Sequence, residues 1–138
     1  SYRLTFSTSA WAANAGGNLS VGRAHAGGCN DKAGGYGYVQ GGRPTASANI
    51  SDRLTFSTSN SAANSASNLV DYREDYNTSF GDVAGGFIQG GNSTFGATAT
   101  KLTAGERLDY ATGVCSRLTT GLLTVIRSAP QAVGDGHV

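Results

Sequence analysis

The strongest constraint on the fold of this chain is a seven-residue segment that occurs twice without a change. The segment at residues 3–9, RLTFSTS in one-letter code, returns at 53–59, and a divergent third copy begins near Arg107. The spacings of 50 and 54 residues between Arg3, Arg53 and Arg107 are typical of propeller blades or solenoid turns. We therefore expect several similar units rather than one irregular core.

The repeated segments have the pattern of half-buried strands. Leu4, Phe6 and Thr8 alternate with polar or charged residues, and this period of two is typical of a strand with one buried face. Glycine and asparagine interrupt the other candidate segments, so no helix is strongly indicated. We expect an all-β fold. The strands expected in the first unit span 1–9, 19–28 and 36–40, with turns at 29–35 and 41–42, and the series starts again at residue 51.

The composition limits the kinds of binding partner and the cellular compartment that we expect for this chain. The formal net charge is +1, which gives no electrostatic reason to expect binding to nucleic acid or to an anionic membrane. The longest apolar stretch, at 122–126, is too short to cross a bilayer. The sequence opens directly on a predicted strand, so we expect no signal peptide here, or one that has been removed. Charged residues make up only 14% of the chain, and this polar, uncharged composition favours an extracellular or secreted protein.

Two further features are compatible with secretion. Four Asn-X-Ser/Thr sequons allow glycosylation, at Asn18, Asn49, Asn77 and Asn92. The only cysteines are Cys29 and Cys115. They can form one disulfide or remain two free thiols, and they do not make a zinc site by themselves.

The order of the repeated elements is similar to that of a known family. Residues 38–42 and 87–91 read YVQGG and FIQGG, and each is followed by a variable loop, an Arg-headed strand and a polar turn. Further arginines follow at Arg73 and Arg127. This order resembles that of kelch-repeat β-propellers and covers essentially the whole chain. The resemblance implies blades of about 50 residues, with ligand-binding loops between packed strands.

The resemblance also implies how the chain is divided. We expect a single repeat domain, 1–138, with a half-blade at 1–20, blades at 21–69 and 70–120, and a half-blade at 121–138. Three blade equivalents do not close a propeller, since four to eight blades are usual. We expect either a homodimer that closes a six-bladed ring through its half-blades or a chain that is part of a longer polypeptide.

Two sets of repeated residues have a structural interpretation. The pairs Gly41-Gly42 and Gly90-Gly91 are expected to let backbones approach closely and to adopt φ values that other residues avoid. Arg3, Arg53 and Arg107 share one phase of the repeat. They are predicted to form a ladder in which each guanidinium bonds backbone carbonyls of the next blade. A role in ligand binding is the alternative.

No catalytic constellation stands out in the sequence. The only histidines are His25 and His137, and no nucleophile motif accompanies them. His25 is interpreted as a strand residue, with a catalytic base as the alternative. Asp31, Asp82 and Asp135 precede glycines and are expected to cap turns. No metal site and no cofactor are predicted.

A binding site, if the chain has one, is expected on the loops. Asp71, Glu74 and Asp75 cluster around Arg73. These residues are interpreted either as a solvated loop with a local ion pair or as a site for a cation or for sugar hydroxyls. Variable loops at 43–51 and 92–105 are further candidates. Tyrosines can stack on sugar faces or fill the core between blades. The residues predicted to bind a ligand are His25, Asp71, Arg73, Asp75 and Tyr76.

Three function hypotheses follow, and a fold alone does not choose among them. The first is a non-enzymatic extracellular binding module that recognises glycans or protein partners through propeller loops. The second is a structural protein of a matrix, an adhesion complex or a mineral. The third, an enzyme on a propeller scaffold, has the least support because the sequence has no His/carboxylate or metal cluster.

Overall fold

A computed structural model of the chain describes residues 1–5, 7–43, 49–93 and 102–120. These residues form ten β-strands and two short 3₁₀ turns, so the predicted all-β fold is confirmed. None of the described residues belongs to a helix long and apolar enough to cross a membrane. The strands are β1 (Tyr2–Thr5), β2 (Ala10–Ala13), β3 (Gly27–Asp31), β4 (Tyr36–Gln40), β5 (Ser51–Thr55), β6 (Asn60–Ala63), β7 (Asp75–Gly81), β8 (Gly85–Asn92), β9 (Gly105–Asp109) and β10 (Val114–Arg117).

The described strands form three antiparallel sheets. The first sheet contains β1 and β2, the second contains β3 to β6, and the third contains β7 to β10. In the second and third sheets every strand pairs with its sequence neighbour, which makes each a four-stranded meander. These two sheets lie within the ranges 21–69 and 70–120 that the repeat predicted.

The repeated sequences occupy equivalent strands. Arg3 pairs with Ala12 across β1 and β2, and Arg53 pairs with Ala62 across β5 and β6. A 3₁₀ turn follows each of these hairpins, at Ala15–Gly17 and Ser65–Ser67. The first sheet therefore has the geometry of the last two strands of the second sheet.

The double glycines adopt the conformation that the sequence analysis expected. Gly41 and Gly42 have φ values of 62° and 89°, and Gly90 and Gly91 have 67° and 87°. Side chains are strained at positive φ, so glycine relieves that strain at each position. A Cβ at Gly42 would also stand 2.7 Å from the carbonyl oxygen of Ala24. Gly41 and Gly42 thus turn the chain directly after β4, where the carbonyl of Ala24 lies close, and Gly90 and Gly91 lie just before the last residue of β8.

Neighbouring sheets are joined by side-chain hydrogen bonds and by one aromatic contact. Asn14, beside the first 3₁₀ turn, donates from Nδ2 to the carbonyl of Ser59 in the second sheet at 2.9 Å. Between the second and third sheets, the Ser79 hydroxyl bonds both backbone groups of Gly28, at 2.6 and 2.7 Å. The Tyr38 and Tyr110 rings also stack across this boundary, with centroids 6.0 Å apart.

Part of the predicted strand at 19–28 is wrong. β3 begins only at Gly27, and residues 18–26 are irregular apart from one bridge between Ala24 and Arg43. His25 has a φ of 57°, which no continuous strand accommodates. Alternation of apolar and polar residues misled the prediction here, because Arg23 turns inward to a buried carboxylate. The predicted turn at 29–35 is shorter than expected, since residues 29–31 belong to β3.

Several predicted features lie outside the described residues. They include most of the loops 43–51 and 92–105, the half-blade 121–138, and the residues Arg127, Asp135 and His137.

Candidate functional site

A buried ion pair lies between the segment before β3 and strand β5. Arg23 Nη2 is 2.6 Å from Asp52 Oδ2, and both side chains are fully buried. Nη2 also donates to the carbonyl of Val39 at 2.9 Å. Asp52 Oδ1 accepts the backbone N–H of Ser20 at 3.2 Å. Burial lowers the pKa of Arg23, and the facing carboxylate opposes that change.

The next repeat contains an equivalent buried ion pair. Arg73 Nε lies 3.1 Å from Glu106 Oε1, again with both side chains fully buried. Arg73 donates to the carbonyls of Gly90 and Ala104 as well. The Glu106 carboxylate accepts the backbone N–H groups of Val70 and Asp71. Each carboxylate therefore ties the segment that links two sheets to a strand of the following sheet.

The sequence contained the signal for these pairs, and the sequence analysis missed it. Arg23 and Arg73 are 50 residues apart, like Arg3 and Arg53, and an acidic residue directly precedes both Arg53 and Arg107. These two acids are Asp52 and Glu106, which are fully buried. The repeated arginine lies on the exposed side of the strand and is the more conspicuous residue, whereas the acid beside it faces the core.

The predicted arginine ladder does not fit the contacts of its members. Arg53 lies over the Tyr36 ring of its own sheet, 4.4 Å from the ring centroid. Arg107 bonds Asp109 at 2.9 Å and the carbonyl of Ala84 at 3.2 Å, also within one sheet. Arg3 reaches the neighbouring sheet, but its partner is the Ser59 hydroxyl at 3.2 Å rather than a backbone carbonyl. Arg23 and Arg73 are the arginines that bond strand carbonyls in the core.

The predicted ligand-binding residues do not form one site. Arg73 is 0% exposed and its donors are used internally, so the prediction that it contacts a surface ligand does not fit its burial. Asp71 forms ion pairs with Arg117 and, at 3.7 Å, with Arg73. His25 lies exposed at a bend before β3. The side chains of Asp75 and Tyr76 lie outside the described part of the structure.

Both cysteines are free thiols, so the disulfide that the sequence allowed is not formed. Cys29 lies in β3 against the third sheet, where a Cβ on Gly86 would overlap its sulfur. Cys115 lies in β10, with Sγ 3.6 Å from Glu106 Oε2. Burial raises the pKa of Cys29. Burial, followed by the Glu106 charge, raises the pKa of Cys115 to about 12.

The sequon asparagines whose side chains the structure describes, Asn18, Asn49 and Asn92, differ in accessibility. Asn18 is exposed at the end of the first 3₁₀ turn. Asn49 is half-buried and donates to the carbonyl of Leu69 at 3.3 Å. Asn92 is only 8% exposed. Asn77 lies in β7, where its backbone pairs with Gly90. Glycosylation of these asparagines stays a prediction.

An open cavity of about 450 Å³ lies between the second and third sheets, at the ends where tight turns join β3 to β4 and β7 to β8. We call it the turn pocket. It lies away from the loops after β4 and β8, since each of those strands begins at its tight turn and ends at its loop. Its lining residues are Asn30, Lys32, Ala33, Gly81, Asp82 and Val83.

Two copies of one turn motif form the walls of the turn pocket. Residues 31–35 read DKAGG and residues 82–86 read DVAGG. Asp31 Oδ1 accepts the backbone N–H of Gly34 at 2.7 Å, and Asp82 Oδ1 accepts that of Gly85 at 2.8 Å. The predicted capping role of these two aspartates is therefore confirmed. The two copies differ only at the second residue, which is Lys32 in one and Val83 in the other. The turn conformation is therefore shared, while the exposed side chain at its tip differs.

The polar side chains of the turn pocket differ in whether they already form hydrogen bonds within the protein. Hydrogen bonds from the backbone of Ala84 and Gly85 lower the pKa of Asp82, so its carboxylate is ionised at neutral pH. No partner within the described ranges engages the side chain of Lys32 or Asn30. Arg107 approaches from behind the second turn by bonding the carbonyl of Ala84. Val83, the tip of that turn, is 96% exposed.

The turn pocket was missed because the sequence analysis assigned its residues to turns alone. The signal was present in the repeated DxAGG motif, but only the packing of two sheets brings both copies to one cavity. Among the described residues no cluster of three or more His, Cys, Asp or Glu side chains is arranged to hold a metal ion.

No protein-family model matches the chain, and no curated protein matches it. The likeness to kelch repeats thus rests on the residues quoted above.

Proposed function

We propose that this chain is a non-enzymatic extracellular binding module that recognises a glycan or a protein partner, and that the turn pocket is its binding site. The observation that carries the proposal is the pairing of two tight turns around one open cavity of about 450 Å³. Concave sites of this size, with a few polar groups over apolar surface, are the usual form of ligand sites.

The chemistry of the turn pocket supports a polar ligand. Asn30 supplies an amide, Lys32 an ammonium and Asp82 a carboxylate, and these groups bond hydroxyl, carboxylate or amide groups. Ala33 and Val83 add small apolar surfaces. The strands that carry the two turns are paired and packed, so the site has a firm base and variable tips.

A glycan array, followed by nuclear magnetic resonance of the labelled chain with each hit, tests this proposal. We expect binding that shifts the amide signals of residues 30–33 and 81–83. We expect the Asn30→Ala variant to bind at least about fivefold more weakly, which is about 1 kcal/mol, without a change in unfolding. Tyr72→Ala, which removes an exposed side chain outside the lining, is the matched control. Shifts confined to other residues would refute this location.

We also propose kelch-like blades and closure by a second copy into a six-bladed ring. The proposal is supported by two four-stranded meanders and by a first sheet with two strands that match β5 and β6. An open array of sheets leaves edges unpaired, and a closed ring of blades leaves only short, protected edges. Light scattering after size exclusion gives the mass. A dimer of the 14.0 kDa chain is expected, and a monomer would refute closure by a second copy.

The second candidate function is a structural protein of a matrix, an adhesion complex or a mineral. It is favoured by one observation: Tyr2 and Trp11, on the β1–β2 hairpin, are 74% and 68% exposed. Large exposed apolar side chains often mark a surface for association. Concentration-dependent growth beyond a dimer, lost in a Trp11→Ser variant and accompanied by no glycan or protein ligand, would favour this candidate.

A further inference from the structure

We propose that the turn pocket selects saccharides that carry a carboxylate, such as uronic or sialic acids, through Lys32. This inference rests on the proposed function and specifies its ligand class. It begins from the charges at the cavity. The described lining has one cation, Lys32, and one anion, Asp82.

The two charges are not equally available to a ligand. Asp82 Oδ1 accepts two backbone N–H groups, from Ala84 at 2.7 Å and from Gly85 at 2.8 Å. Arg107 lies behind the same turn, bonding the carbonyl of Ala84 at 3.2 Å. The carboxylate is thus partly compensated by its own turn. The Lys32 ammonium forms no ion pair with any carboxylate in the described part of the chain, so it is the charge that a ligand can neutralise.

The position of Lys32 supports the same conclusion. Lys32 and Val83 occupy the same place in the two copies of the DxAGG turn. On one wall of the pocket this position is the cationic Lys32. On the other wall it is the apolar Val83, whose side chain is 96% exposed. A sugar acid has an anionic group and an apolar ring face, which suit these two walls. Its hydroxyls suit the Asn30 amide and the Asp82 carboxylate, which donate and accept hydrogen bonds.

A matched pair of ligands isolates the role of charge. Calorimetric titration compares trigalacturonic acid with its methyl ester, and 3′-sialyllactose with lactose, at low and moderate salt. We expect at least one acid to bind about fivefold or more tightly than its neutral partner, which is what an exposed ion pair contributes at its upper range. The preference should shrink as salt increases.

Variants test whether Lys32 is responsible. Lys32→Gln should remove the preference for the acid by weakening its binding to about the level of the neutral partner. Arg3→Gln, which removes the same charge from strand β1 of the first sheet, should keep the preference. Both residues are exposed, and circular dichroism should show unchanged folding.

The outcomes separate this inference from the proposed function. Equal binding of acid and neutral partner would overturn the inference and leave glycan binding intact. Binding of sulfated or phosphorylated saccharides alone would also overturn the inference, because the recognised anion would then not be a carboxylate. If no saccharide binds and a peptide ligand shifts the signals of residues 30–33, the inference fails while the binding module stands. If nothing binds at these residues, both fail.

Discussion

Glu106→Gln tests whether the buried ion pair of the third sheet stabilises the fold. The Glu106 carboxylate accepts hydrogen bonds from the backbone of Val70 and Asp71, from Arg73 Nε and from the Cys115 thiol. Glutamine keeps the shape and one acceptor oxygen but leaves the fully buried Arg73 guanidinium with only the more distant Asp71 carboxylate, at 3.7 Å, as a counter-charge. Removing one partner of a buried pair costs about 3–5 kcal/mol. We expect a loss of about 3 kcal/mol in the free energy of unfolding, at the lower end because glutamine keeps one acceptor.

Urea unfolding followed by circular dichroism measures this loss. With a urea dependence of about 2 kcal/mol per molar, the midpoint should fall by about 1.5 M. Glu74→Gln is the matched control, because the half-buried Glu74 side chain forms no ion pair or hydrogen bond with the described residues. It should change the free energy of unfolding by less than about 0.5 kcal/mol.

A double-mutant cycle keeps the test informative if a single variant unfolds easily. Arg73→Met alone leaves the carboxylate buried without its cation. Arg73→Met combined with Glu106→Gln removes both charges, so its loss should be smaller than the sum of the two single losses by about 1–3 kcal/mol. A Glu106→Gln variant as stable as the parent chain, or additive losses in the cycle, would refute the argument.

Three further predictions concern packing and titration. Gly42→Ala should destabilise the chain by about 1–3 kcal/mol, because φ is 89° and the added Cβ meets Ala24. Gly22→Ala, which meets nothing within 4 Å, should be nearly neutral in the same urea titration. Gly86→Ala should lower the thermal midpoint by pressing on the Cys29 sulfur, and Cys29→Ala should restore part of that loss; no restoration would mean that the contact is not the cause. Cys115 has a pKa raised from 9.0 to about 12, so the unfolded chain loses this proton first and stability should fall as pH rises from about 9 to about 12. Comparing urea midpoints at about pH 8 and about pH 10.5 should show a smaller decrease in Cys115→Ala than in the parent chain, and equal decreases would contradict the assignment.

The local pattern of the sequence determined the class of fold and the repeat. Alternation in 3–9 and 53–59 indicates strands, because a period of two places every second side chain on one face. The strands are shorter than predicted, since β1 ends at Thr5 and β5 at Thr55, and residues 7–9 and 56–59 form turns. Gly41-Gly42 mark the end of β4, and Gly90-Gly91 lie just before the last residue of β8. The consecutive positive φ values at both pairs are accessible mainly to glycine. Asp31 and Asp82 cap their turns through bonds to residues three positions later, which sequence spacing alone can anticipate.

Tertiary structure decided which charges are buried and where a cavity opens. Arg73 was predicted at a surface loop, yet it is fully buried, because Glu106, 33 residues later, supplies its counter-charge. The same alternation that correctly located β1 failed at 19–28, where Arg23 turns inward to Asp52. The turn pocket needs two copies of one turn from different sheets. Local propensity fixes the conformation of each turn, but only the packing of β3 against the third sheet brings the Lys32 and Val83 turns to one cavity.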